Sequence, residues 1–427
     1  MGHSKRPKRT TISMMRAEPA KLVRRRHVFY VEGYDPQGAR GYSGLFRREC
    51  KRFLTVWPVT AEIGELVLDS DDLAHWDIET KGPNWQVSTR YEFLRLEDFI
   101  ATNLARPLIS QALRALRWML NDLVSGTLLR IFRASWRFAL HLIVPQALLL
   151  AWLALSLAAG ALLGYVTLRW LSFPALAALF CLAAGAILTF VLLRPLAERW
   201  FVIRVTNGWP YLREFARDAP SGYDRSIDVC ARRVVLAAQA AEVDEILIVG
   251  HSAGGVIAPA VAARALELDP NLGRRGPAVT LMTVGSLLPA FALHPAAAKL
   301  RNVIRRLAVE GSLLWVDCQA RKDVMNFWDF DPVRGVGVEV GADRCNPLVW
   351  TVRLHDMLTD ERYERLRYNY FRMHYQYIMG NDRRAPYDYF MLTCGPVRLA
   401  EWARSGGRSV LKAFSDTAAY RACAPVA

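Results

Sequence analysis

Glu245-Ile-Leu-Ile-Val-Gly250-His251-Ser252-Ala253-Gly254-Gly255, followed by a helical run from Val256 to Leu268, is the stretch on which the fold turns. A short apolar run bounded by glycine reads as a buried strand, and the run after it has the length of a helix. Between them stands G-x-S-x-G. A serine at such a strand-to-helix turn has a strained backbone and needs small neighbours. The glycines let strand and helix pass closely while Oγ stays exposed. A glycine-rich turn without chemistry is the competing reading; the flanking strand, the second glycine and the following helix favour the nucleophile.

Outward from the turn, Ser226 to Ala241 reads as an amphipathic helix, and Ala278 to Gly285 and Ser312 to Val316 as the next strands. Upstream, His27 to Val31 is a short apolar strand that ends in the turn Gly33-Tyr34-Asp35-Pro36. A helix is expected around Tyr42 to Phe53, and strands at Phe53 to Val59, Leu66 to Asp69 and Trp85 to Phe93. Gly335-Val-Gly337-Val-Glu-Val-Gly341 lacks the Lys-Ser/Thr of a phosphate loop and reads as a strand with bends.

The motif Gly250-His251-Ser252-Ala253-Gly254 in this context resembles the lipase and esterase branch of the α/β-hydrolase superfamily, over residues 27 to 100 and 205 to 395. The resemblance implies an α/β fold with a mostly parallel sheet flanked by helices. It also implies a Ser-Asp-His triad in that chain order and an oxyanion hole built partly after an early strand. Of the eight histidines, three follow Ser252. His294 precedes the good acid candidates, which leaves His355 and His374. His374, with aromatics around it in Tyr370 to Tyr377, fits the family's base better than His355, which with Asp360 also matches the H-x4-D spacing of glycerolipid acyltransferases. For the acid, Asp323 in Arg-Lys-Asp-Val-Met-Asn is preferred over Asp317 at the end of a strand, with Asp329 and Asp331 behind both. His251 is expected to pack rather than react. The oxyanion donors implied are the amides of Ala253 and of Tyr34, with Gly33 supporting the turn and Glu32 standing where the family usually has His.

One segment departs from such a domain. Phe138 to Leu168 is uncharged over 31 residues, and after Arg169 so is Trp170 to Leu193 over 24. Each run is long enough to cross a bilayer as a helix, and Leu168 to Pro174 can turn a hairpin. Arg114, Arg117, Arg130, Arg133 and Arg137 precede it, and Arg194, Arg199, Arg204, Arg213 and Arg217 follow it. The positive-inside rule therefore puts both ends and the hydrolase domain in the cytoplasm of an integral inner or plasma membrane protein. Leu108 to Trp136 alternates apolar residues with Arg and reads either as a headgroup-plane helix or as one packed on the soluble part.

The resulting division is a basic tail (1–26), a hydrolase part (27–105), an amphipathic helix plus hairpin (106–204), the rest of the hydrolase with the nucleophile (205–395) and a second tail (396–427). The 427 residues are 52% hydrophobic, which excludes disorder, and carry a net charge of +15. Arginine supplies 47 of 55 basic residues, and the clusters beside the hairpin are a topology signal, so nucleic acid is not an expected partner; the bilayer and an ester or acyl substrate are. Seven scattered Cys without a C-x-x-C pair fit neither a disulfide framework nor a zinc site. No metal and no cofactor is expected. The function expected is a membrane-anchored serine hydrolase acting on an ester or thioester. A non-catalytic module of the same fold, or an acyltransferase with the same triad, are the alternatives.

Overall fold

The computed structural model describes residues 22–170, 179–185, 187, 191, 202–217 and 221–421. The chain runs through β1 (Arg25–Val31), α1 (Gly38–Val56), β2 (Thr60–Ile63), β3 (Val67–Leu68), β4 (Leu73–Lys81), β5 (Gln86–Leu94), α2 (Glu97–Leu104), α3 (Leu108–Val124), α4 (Thr127–Ala134) and α5 (Trp136–Trp170). It continues through α6 (Val202–Ala216), α7 (Asp224–Ala240), β6 (Glu245–His251), α8 (Gly254–Leu268), β7 (Ala278–Val284), α9 (Leu288–Ala292), α10 (Ala298–Ala308), β8 (Leu314–Gln319), β9 (Leu348–Thr351), α11 (Asp360–Leu366) and α12 (Tyr370–Tyr375). Short helices at Tyr389–Cys394, Leu399–Arg404 and Arg408–Lys412 follow.

The strands form one mixed sheet in the order β2-β4-β5-β1-β6-β7-β8-β9, with β3 on β4. From β5 to β9 every neighbouring pair is parallel, and β2, β3 and β5 meet β4 antiparallel. This is an α/β fold. Alternation along the central strands splits the core in two. Phe29, Val31, Ile246, Ile248 and Leu281 face α2 and α6 to α10, while Val28, Tyr30, Leu247, Val249 and Met282 face α1 and the C-terminal helices.

The structure corrects several expectations. Phe53 to Val59 is not a strand: α1 continues to Val56, because Phe46, Cys50, Phe53 and Trp57 recur at helical spacing and bury one stripe. Strand β4 has no counterpart in the sequence reading, since its outward His75, Asp77 and Glu79 break up the apolar signal. Leu108 to Trp136 is two helices, separated at Gly126 with φ 69°. The glycine-spaced 335–341 segment forms tight helical turns, Arg334–Val336 and Gly341–Asp343, rather than a strand.

Neither tail boundary holds. Arg25 and Arg26 belong to β1, while 1–21 lie outside the described residues. The 396–421 stretch is folded, with Trp402 buried. The two ends meet at one fully buried ion pair. Arg26 Nε donates to Glu245 Oε2 at 2.8 Å, and its other nitrogens donate to the carbonyls of Gly395 and Val397 at 2.6 and 3.0 Å. Glu245 Oε1 accepts from the Leu399 amide at 2.9 Å.

Helix α5 begins inside the protein: Phe138 and Ala139 are core residues, and the Phe138 ring lies 4.9 Å from that of Phe327. An apolar crossing that starts at Phe138 is therefore too early. Among the described residues, which leave out several side chains of α5, no helix is long and apolar enough to cross a membrane. The second arm of the expected hairpin, 170–193, lies mostly outside them. Several of the flanking arginines have structural work. Arg213 is buried against Asp122 at 3.1 Å, with burial holding its guanidinium down at about 10, and Arg217 covers the Trp118 ring.

Removing one partner of a buried pair leaves an uncompensated charge at a cost of about 3–5 kcal/mol, whereas an apolar double replacement is far milder. Thermal unfolding in mild detergent should therefore show Arg26→Met strongly destabilised. The double variant Arg26→Met/Glu245→Met should recover most of the loss.

Candidate active site

Strand β6 is buried along its whole length and cannot run on, because α8 must start at Gly254 to cover the sheet. The reversal takes place at Ser252, which sits at φ 57°, in the left-handed region that a residue with a Cβ enters at a cost of about 1–2 kcal/mol. Its amide donates to the Val284 carbonyl at 3.1 Å, and its carbonyl accepts from Gly255 and Leu287 at 3.1 and 3.2 Å, so the strained residue is held on both sides. The glycines are needed for close approach. A Cβ on Gly254 would lie 2.1 Å from the Val31 carbonyl oxygen, and one on Gly250 would lie 2.5 Å from that of Gly254.

Opposite the turn, α12 carries His374, whose Nδ1 is 2.7 Å from Asp323 Oδ2; both side chains are buried. With the carboxylate accepting, Nδ1 carries the proton and Nε2 is left as the basic nitrogen. Nε2 is buried and has no hydrogen-bond partner among the described residues. Asp323 itself is fixed: Oδ1 accepts the Met325 amide at 2.8 Å and Oδ2 accepts Asn326 Nδ2 at 3.0 Å. Gly285, at φ 54°, leaves room for this pair, since a Cβ there would lie 2.9 Å from His374 Cε1 and 3.2 Å from Asp323 Oδ2.

Ser252 and His374 line one small, mostly apolar pocket of about 100 Å³. Its other walls include Phe138, His141 and Leu142 from α5, and Trp209 and Leu212 from α6, so the first helix of the apolar segment and the helix that follows that segment both help to close it. Gly33 lies on the Ser252 turn: a Cβ there would be 3.4 Å from Ser252 Cβ and 3.8 Å from the Ala253 nitrogen. Ala253, Gly33 and Tyr34 thus share the pocket rim. The Tyr34 ring stacks on Tyr211 of α6 at 6.2 Å, over Gly208. Glu32, in the place of the histidine that the resemblance implies, turns away to accept the Leu96 amide at 3.3 Å, and burial pushes its carboxyl well up.

The alternatives go elsewhere. Asp317 is buried against Thr283 and Gln319, at 2.5 and 2.8 Å, and burial raises its carboxyl. His355 is half exposed, with Asp360 at 3.7 Å, and does not line the pocket. Asp331 pairs with Arg344 at 2.6 Å.

Comparison with known protein families, curated proteins and solved structures finds no match.

Sequence reasoning missed three parts of the site. Asn326, three residues past Asp323, was within reach of it. His251 is more than packing: burial keeps its imidazole neutral, well below the ordinary range, and Nε2 donates to the His374 carbonyl at 3.2 Å. Tyr375 ties the base to the rim by donating to Asp35 at 2.7 Å. These two depend on contacts between elements more than 120 residues apart in sequence, which no local pattern encodes.

Gly254→Ala drives a Cβ into backbone that cannot move aside, and a loss of about 3 kcal/mol or more is expected. The control is Gly44→Ala in α1, where nothing lies within 4 Å of the new methyl group; there a gain of about 0.5–1 kcal/mol is expected. Thermal melts of the two variants should move in opposite directions.

Proposed function

We propose that this chain is a membrane-anchored serine hydrolase of the α/β-hydrolase type, cleaving an ester or thioester through an acyl-enzyme on Ser252. One observation carries the reading: a serine in the left-handed region shares a small apolar pocket with a histidine whose other nitrogen is bonded to a buried aspartate. Ser252 Oγ attacks the acyl carbon as His374 Nε2 takes its proton. The alcohol or thiol leaves with that proton, and water, activated by the same nitrogen, releases the acid and frees Oγ. The amides of Ala253 and Tyr34 are the oxyanion donors in this scheme. Asp323 holds the tautomer and His251 the ring's position.

Membrane insertion is supported by the sequence and by the surface. Helix α5 spans 35 residues, about 52 Å at the helical rise, and beyond Val144 it exposes Leu155, Leu157, Leu162 and Leu163. So continuous an apolar surface is costly in water and suited to lipid. Part of the second arm packs on it where both are smallest: a Cβ on Gly160 would meet the Leu182 carbonyl at 2.5 Å, and one on Gly185 would meet the Gly160 Cα at 3.2 Å. Helix α3 buries Trp118 and Asp122 and leaves Leu113, Leu116, Leu120 and Leu123 exposed in a row, the arrangement of a helix that packs on the domain and rests on a headgroup layer. With both hairpin ends cytoplasmic, the pocket opens beside the inner leaflet.

A fluorophosphonate probe applied to membranes containing the full chain should label the wild type and not Ser252→Ala. Asp323→Asn should slow labelling about 10³-fold or more. Equal labelling of wild type and Ser252→Ala would remove the nucleophile from the account. For topology, a reporter fused to the C-terminus should be active in the cytoplasm only; activity on the far side would refute a two-crossing anchor.

A further inference from the structure

Beside the Ser252 pocket lies a larger open groove of about 1120 Å³. His141 and Phe371, with rings 5.9 Å apart, line both spaces. One wall is α5, where Leu140, Val144 and Leu148 follow one another along about 18 Å of helix from Trp136. The other wall is aromatic, with Tyr363, Tyr368 and Tyr370.

The charges around it are of one sign. Arg137, Arg321, Lys322 and Arg367 line the groove, and no Asp or Glu does among the described residues. Lys322 Nζ stands 5.7 and 5.8 Å from the rings of Tyr363 and Tyr368, and the Arg321 guanidinium covers Trp328 at 5.4 Å. Aromatic faces attract a cation without neutralising it. Arg137 donates to the Arg321 carbonyl at 2.8 Å, and Arg367 is shared with Glu364 at 3.0 Å. The result is an apolar wall running toward the proposed membrane segment, with Arg137, Arg321 and Lys322 as charges that no carboxylate neutralises among the described residues.

Size makes the groove necessary. A pocket of about 100 Å³ admits the reacting ester and a few carbons, since one water-sized group needs on the order of 10–15 Å³ on the same measure. A long chain and its headgroup have to lie outside it. We infer that the groove seats them, and that the substrate is a long-chain acyl ester whose headgroup carries a phosphate: the chain lies along α5 and the anion against Arg321 and Lys322. The inference rests on Ser252 being the nucleophile for the reaction, but not for the binding.

The test uses the full chain in nanodiscs of zwitterionic lipid, with 1-acylglycerol phosphate and the uncharged 1-acylglycerol of equal chain length as probes. The Ser252→Ala protein should bind the phosphate ester at least tenfold more tightly. Wild type should show a similar preference in kcat/KM, falling as salt rises. Arg321→Glu/Lys322→Glu should abolish the preference and Lys322→Gln should reduce it, each read as the ratio of the two probes, with a short neutral aryl ester reporting turnover that needs no phosphate contact. Equal binding of the two probes, or a preference that survives charge reversal, overturns the groove assignment. Chain-free glycerol phosphate should not compete at the lipid's concentration; competition would reduce the groove to a phosphate site and overturn the role of α5. A wild type that binds selectively but turns over neither probe nor aryl ester refutes the catalytic reading and leaves the groove standing.

Discussion

A buried parallel strand that must become a covering helix within three residues imposes the constraint on which the rest of the structure depends. The turn forces Ser252 to φ 57°, and the neighbouring backbone of β1 comes so close that position 254 admits no side chain. A polar residue held in such a conformation is stable only because the surrounding structure over-determines it. Here the hydrogen bonds to Val284, Gly255 and Leu287 do so. The same geometry pushes the serine side chain out at the carboxyl end of the sheet, where the loops after β1, β7 and β8 converge and where α/β sheets usually bind their ligands.

The apolar segment is tied into the fold on both sides. Its first helix starts in the protein core, and Ser135 and Arg137 bind the carbonyls of Asn326 and Arg321, on either side of Asp323 in sequence. Its exit helix packs under Tyr34 through Gly208 and Tyr211 and is fixed to α3 by the buried Arg213–Asp122 pair, to which Trp209 adds a hydrogen bond of 2.7 Å. The Asp323 loop, the Gly33–Tyr34 rim and the pocket wall are thus all joined to α5 and α6, the two helices that stand before and after the part of the apolar segment outside the described residues.

How much of this could be read from the chain depends on the range of the interactions involved. The central strands and the nucleophile turn were legible because their signal is local: a run of apolar residues, then small ones at fixed spacing. Asp323 and His374 were singled out by the chain order and neighbours that the resemblance implies, but only tertiary packing brings them to 2.7 Å. Strand β4 was missed because its outward residues are charged, and α1 was cut short because Phe53 to Val59 is apolar enough for either structure. The C-terminal 396–421 segment passed for a tail because what folds it, Arg26 reaching Gly395 and Val397, connects residues about 370 positions apart.

The central claim is that Ser252 carries the acyl group between two half-reactions. Mass spectrometry of the full chain, quenched during steady turnover of a slowly deacylating ester, addresses it directly. The account predicts a mass increase equal to the acyl group, on the peptide containing Gly250 to Gly255 and at Ser252. Turnover with no adduct there, or with the acyl group on another residue, would contradict it.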